Sequence, residues 1–304
     1  MRINPILEKE LKVKMRGWKS PILISIYIFV LCGGIFLAFW RMNTSNYFGP
    51  QVALEVYCVL SIVQFVLLSM ITPTLTATAI SGERERQTLD LLLCTETSAF
   101  SIVWGKLTAS IAHVILLMIA SLPILGTIFM FGGINLLDFV VVFLNYIVMC
   151  FFLASLGIFF STIFKKNLTS IIVTYAVALF IYFNQLIMAF ITAEFIYDLY
   201  SYLEDSFIGN IYLLINPIVG FMSVLYPDDY VGFNENIEAI LKIIPPWIFS
   251  CALYVILTYI LIRISTYRIN PLKVRIEELR EIEEAEKNLK NEGKKNIEKK
   301  HNQL

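Results

Sequence analysis

The chain has 304 residues, 58% of them hydrophobic and 14% aromatic, with 24 basic and 24 acidic side chains. A soluble domain holds about 45–50% apolar residues, and the excess here is gathered in runs of about 20 or more, which read as membrane spans. Zero net charge with no basic domain face excludes nucleic acid as a partner.

Residues 2–19 read as an amphipathic helix. Asn4 stands at a capping position and Pro5 at the first helical one. Ile3, Ile6, Leu7, Leu11 and Trp18 point one way, while Lys9, Lys12, Arg16 and Lys19 largely point elsewhere. Such a helix lies in the membrane interface. The apolar run after Ser20 is too long for the core of a cleavable signal, and no A-x-A site follows it, so it is expected to remain as a span.

Six spans are expected, at 21–40, 51–80, 107–131, 136–164, 168–197 and 245–265. The second, fourth and fifth are about 45 Å long at 1.5 Å per residue, against a hydrocarbon core of about 30 Å. They must tilt or protrude. The second is expected to run out on the cytoplasmic side, with Pro73 placed to kink it near that end. Basic residues set the orientation. Six lie in 1–20, three in 81–106, two at Lys165 and Lys166 and eleven after residue 262, which leaves only Arg41 and Lys242 for the other side. Both termini are therefore expected in the cytoplasm.

Between the second and third spans lies a charged, helix-prone insert, residues 82–106. Glu83 and Glu85 fall in a first helical turn, where carboxylates suit the positive helix end. Leu89, Leu92 and Leu93 recur at helical spacing and give one apolar face. Thr97 or Ser98 can cap a second short helix carrying Phe100, Ile102, Val103 and Trp104. The insert reads as two short helices under the membrane, through which a soluble partner would push on the spans.

The one large external piece is the loop 198–244, with seven acids and one lysine. Its apolar middle, 208–226, is broken by Asn216-Pro217 and Gly220, so a re-entrant or interfacial helical pair fits it better than a seventh span. The tail 269–304 is highly charged, with a thin apolar stripe at Leu272, Ile276, Leu279 and Ile282. It reads as a helical start fraying into a basic end.

Chemical motifs are missing. No phosphate-cradling G-x-x-x-x-G-K-[ST] loop occurs, nor H-E-x-x-H, G-x-S-x-G or a His/Cys cluster. Cys32, Cys58, Cys94, Cys150 and Cys251 form no C-x-x-C and read as small apolar fillers, and His113 as a helix-packing hydrogen bonder. Amides within spans are costly and are site candidates. Gln64 lies near the middle of the second span, Asn184 and Gln185 near the middle of the fifth, and Asn145 in the fourth. Gln64, Phe65, Asn184, Gln185 and Met188 lie near one depth, and if the second and fifth spans face a common axis they line a mostly apolar cavity with a few amides. Their alternative role is bonding helix to helix.

Asn4-Pro5-Ile6-Leu7-x-Lys9-Glu10-Leu11, Glu83-Arg84-Glu85, Thr88-Leu89-x-x-Leu92-Leu93 and Gly105-Lys106 together resemble the ABC type-2 permeases, the membrane subunits of ABC exporters. The resemblance covers roughly 1–268. It implies an all-α membrane protein: an N-terminal interfacial elbow helix (1–20), a six-span permease domain (21–268) with a cytoplasmic coupling helix, and a charged tail outside the family pattern. It implies a second permease subunit, identical or similar, and a separate ATPase that carries ATP and Mg and docks on Glu83, Arg84, Glu85, Thr88, Leu89 and Leu92. No cofactor is expected on this chain. Substrates implied are amphipathic or apolar, such as lipids, peptides or drugs. A membrane scaffold or sensor that binds a signalling partner through the same insert is the alternative.

Overall fold

The computed structural model describes residues 17–45, 50–89, 98–129, 135–195, 215–226 and 245–269, with Leu7, Glu8, Glu10 and Lys12 of the leader; for 19, 38, 41–45, 50–51, 129 and 185–195 it describes the backbone alone. The described elements are all helical: α1 Lys19–Ser45, α2 Pro50–Thr76, α3 Ser81–Glu85, α4 Ala99–Phe129, α5 Leu136–Ile163, α6 Asn167–Phe195, α7 Pro217–Leu225 and α8 Pro246–Ile269. Six of them, all but α3 and α7, are long and apolar enough to cross a membrane. The 31 residues of α4 span about 46 Å, so this helix too must tilt or project.

The fourth span, α5, forms the centre of the bundle and packs most extensively against α8 and α2. Its buried face mixes large residues (Tyr146, Phe152, Leu156) with small ones (Ala154, Ser155, Gly157, Ser161). Small residues let helices approach closely without a hydrophobic driving force between them. Gly157 shows how closely: a Cβ there would lie 2.1 Å from Thr76 Oγ1 of α2. The outer helices instead carry exposed apolar side chains, including Ile26, Phe29 and Phe36 on α1 and Leu168, Ile172 and Phe180 on α6. Such faces suit a hydrocarbon solvent.

Polar side chains within the spans bond helix to helix. Ser20 Oγ of α1 lies 3.5 Å from His113 Nδ1 of α4. Tyr146 of α5 donates to the Ser61 carbonyl of α2 (2.8 Å), and Asn145 Nδ2 donates to Cys251 Sγ of α8 (3.6 Å).

The structure corrects the insert at one point. Phe100 to Trp104 do not form a separate short helix; they are the first turns of α4, which runs unbroken through Gly105. Ser98 does cap it, accepting from the Ser101 N–H (3.2 Å). Val103 and Leu107 are fully buried, so packing holds the helix continuous across the glycine.

The middle of the external loop forms one buried nine-residue helix, α7, too short to span. The residues that break the apolar run define it. Asn216 Oδ1 caps it by accepting from the Ile218 N–H (2.8 Å), and Pro217 opens the first turn. Gly220 admits Ser250 of α8, whose Oγ would lie 2.5 Å from any Cβ. Phe221 is fully buried against Phe65 and Tyr146, so α7 re-enters the bundle. A second helix of the expected pair lies outside the described residues, as does the tail.

Candidate functional site

The structure offers two linked features: a braced break at the charged end of α2, and an apolar cleft halfway along the same helix.

α2 stops at Thr76, three residues after Pro73, and a turn over 77–80 leads into α3. A break leaves backbone groups unpaired, and at a membrane boundary they need partners. Side chains from the fourth and fifth spans supply them. Ser161 Oγ of α5 accepts from both the Ile80 and Ser81 N–H groups, each at 2.8 Å. Ser170 Oγ of α6 donates to the Ala77 carbonyl (2.6 Å), and Ser81 Oγ donates to Asn167 Oδ1 (2.7 Å). The break is thus held by two other spans.

α3 ends in a Schellman motif. Gln87 N–H donates to the Arg84 carbonyl (3.0 Å) and Thr88 N–H to the Glu83 carbonyl (2.8 Å), with Gln87 at φ 58° in the place usually given to glycine. The reversal brings the Thr88 hydroxyl onto the Glu83 carboxylate. It also turns Leu89 into an apolar cluster with Ile80, Val103 and Leu107.

Glu83 faces inward. Its Oε1 accepts from Lys106 Nζ at 3.2 Å, and the same ammonium donates to Glu10 Oε1 of the leader at 2.7 Å. Lys106 is buried, and both carboxylates are partly exposed. Lys12 Nζ lies 2.6 Å from Glu8 Oε1, and that ammonium holds the Glu8 carboxyl below the usual carboxylate range. Of the residues expected to meet a partner, Glu85 is exposed, Arg84 and Thr88 are half-buried and Leu89 is buried. Leu92 lies outside the described residues.

The cleft, about 190 Å³, opens between α2 and α6 and is floored by α7. α2 contributes Ile62, Phe65, Val66, Ser69 and Met70; α6 contributes Tyr175, Ala178, Leu179, Tyr182 and Phe183. Both sets recur at steps of three, one, three and one, a single face of a helix. Ile218, Phe221 and Met222 of α7 complete the wall. Phe65 stacks on Phe221 (centroids 4.5 Å apart, planes 11°) and meets the edge of Tyr182 (5.9 Å, 85°). The wall's polar atoms bond within the wall. Tyr182 donates to Ser69 Oγ (2.8 Å), Ser69 to the Phe65 carbonyl (2.7 Å), and Tyr175 to the Met70 carbonyl. What faces the opening is aromatic, aliphatic and thioether surface without charge.

Of the expected cavity residues, Phe65 lines the cleft. Gln64 does not: it is fully buried, and its Nε2 donates to Ser121 Oγ of α4 (3.1 Å). An amide surrounded by hydrocarbon goes where a hydroxyl can pair with it. Asn184 lies beside the cleft rather than on its wall; its Oδ1 accepts from Asn216 Nδ2 (3.1 Å), which ties α6 to the cap of α7. The side chains of Gln185 and Met188 lie outside the described residues. Sequence reasoning missed Ser69, Met70, Tyr175 and Phe221: the stripes on α2 and α6 have helical spacing, but spacing alone does not say which face meets the other helix, and Phe221 lies on α7.

These features define a multi-pass helical membrane protein with a lateral apolar cleft, joined through one helix to a polar knot at the bundle's end. The chain matches the family described as ABC-2 family transporter protein over residues 4–268, and it belongs to that family. It is thus a transport permease of ABC-2 type. The family is a membrane transport component, not itself catalytic, and generally works with an ABC ATPase subunit. Comparison with curated proteins returns no match.

Proposed function

We propose that this chain is the permease subunit of an ATP-driven exporter for an apolar or amphipathic substrate. A separate ATPase carries ATP and Mg and docks under residues 82–106. A second permease subunit, identical or similar, completes the pathway. Both termini lie in the cytoplasm; the concentration of basic residues at one set of loops supports this orientation.

The observation that carries the reading is that one helix serves both ends. α2 supplies a wall of the cleft, and its broken end holds α3. Because Ser161 and Ser170 pin that end to α5 and α6, a push on α3 reaches the fifth span as well as the second. Those are the two cleft walls. The uncharged lining favours a lipid-like or drug-like molecule over an ion. Phe65, Tyr182 and Phe221 are the contact residues, and Asn184 positions α7 through Asn216.

Purification of the intact chain from its native membrane, followed by mass spectrometry of bound proteins and lipids, tests the reading. An ATPase carrying the phosphate-cradling loop that this chain lacks, together with an apolar or amphipathic small molecule, is expected. Recovery of a signalling protein and no ATPase would favour the scaffold or sensor instead.

A further inference from the structure

Three sequence segments far apart in the chain converge on one ammonium. Lys106 lies in the second turn of α4, and it meets Glu10, 96 residues earlier, and Glu83, 23 residues earlier. Its side chain is 4% exposed, against 22% for Glu10 and 31% for Glu83. The helix cannot roll to free it, because Ile102, Val103 and Leu107 around it are fully buried. A second bond fixes the level: Ser110 Oγ, one turn on, lies within hydrogen-bonding distance of both the Lys106 and Leu75 carbonyls (3.0 and 3.4 Å). This ties α4 to the end of α2. A lysine carries three N–H donors on a compact head, so one ammonium can serve two carboxylates from different segments. Charge-assisted bonds of this kind are the strong ones, and removing one partner leaves a buried charge uncompensated.

We propose that Lys106 is a positioning residue that fastens the leader helix, through Glu10, and the 81–89 segment, through Glu83, to the start of the third span. The leader and the coupling segment then move as one body with α4. The proposal rests on reading 82–106 as the coupling segment and revises one part of it. Glu83 holds the segment in place from inside, while the surface left for a partner is Glu85, Arg86 and Gln87, all exposed.

Each arm can be cut alone. The intact chain, purified in detergent, is digested briefly with trypsin, and the rate at each bond is followed by mass spectrometry. Glu10→Gln should speed cleavage after Lys9, Lys12, Lys14 and Arg16 on the order of tenfold, the scale of one lost charge-assisted bond, and leave Arg84 and Arg86 unchanged. Glu83→Gln should do the reverse. Lys106→Met should release both regions, and Lys106→Arg should restore protection to both. The bonds after Lys165 and Lys166 report on the whole fold and should not change in any variant. Uniform acceleration everywhere, or no acceleration in Lys106→Met, would overturn the proposal. So would equal effects of the two glutamate changes on both regions. None of these rates requires an ATPase. If no ATPase is bound to the chain, the functional reading fails and the cleavage pattern still decides this one.

Discussion

Replacing Ser161 with alanine removes the shared acceptor of the Ile80 and Ser81 N–H groups, both 2.8 Å from its Oγ and both on fully buried residues. An unsatisfied buried donor costs about 1–3 kcal/mol. Two of them set a range of about 2–6 kcal/mol, and partial relaxation of the turn over 77–80 brings the expected loss to about 2–4 kcal/mol. The same helix supplies a control of equal volume. Ser155 is also buried, but its Oγ donates to the Phe152 carbonyl of its own helix (2.7 Å), so its removal leaves no other helix unpaired. Ser155→Ala should cost under about 1 kcal/mol. The two variants are compared by reversible unfolding in mixed detergent micelles. A cysteine placed at Gln87 reports separately on loosening of α3 through its alkylation rate. Ser161→Ala should lose stability and speed alkylation, whereas Ser155→Ala should do neither to a comparable degree. Equal losses in the two variants would refute the bracing role of Ser161.

Gly157→Ala should cost about 1–3 kcal/mol by overpacking, because its Cβ would meet Thr76 Oγ1 at 2.1 Å and the Ala77 backbone at 3.1 Å; detergent melting checks this. Asn184→Ala should lower thermal stability slightly and raise proteolysis of α7, since Asn216 Nδ2 keeps the Tyr182 carbonyl (3.2 Å) but loses one of its two ties to α6. Gln64→Leu should instead stay within about 1 kcal/mol of the parent, because Gln64 Oε1 has no hydrogen-bond partner among the described residues to begin with. Melting curves of both amide variants separate the two. Single cysteines at Asn46 and Asn234 should react with an impermeant reagent added outside sealed cells, and one at Lys166 should not; labelling at 166 would contradict the proposed orientation.

The spans were legible because long apolar runs encode them directly; Asn216-Pro217 read as a break in an apolar run, and in the structure that break is the cap and first turn of α7. Azimuth was not legible. Gln64 and Phe65 share a depth, but neighbours on a helix point about 100° apart. Phe65 therefore faces the cleft while Gln64 faces Ser121. The inward turn of Glu83 was equally hidden, since it depends on a Schellman reversal with glutamine, not glycine, at the left-handed position. A lysine 23 residues away then completes it. The unbroken start of α4 escaped notice because Gly105 suggests a boundary, and only the burial of Val103 and Leu107 removes it.

If the proposed coupling holds, what occupies the cleft governs ATP turnover by an ATPase docked under α3. The most direct test of that coupling is the ATPase rate of the complex purified with this chain, measured with and without an extract of its own membrane lipids. Parent protein is compared with a variant carrying Val66→Trp and Leu179→Trp, two exposed residues at the cleft mouth. The extract should stimulate the parent, and the plugged variant should keep its ATPase but lose the stimulation. Undiminished stimulation with the cleft filled would contradict the coupling.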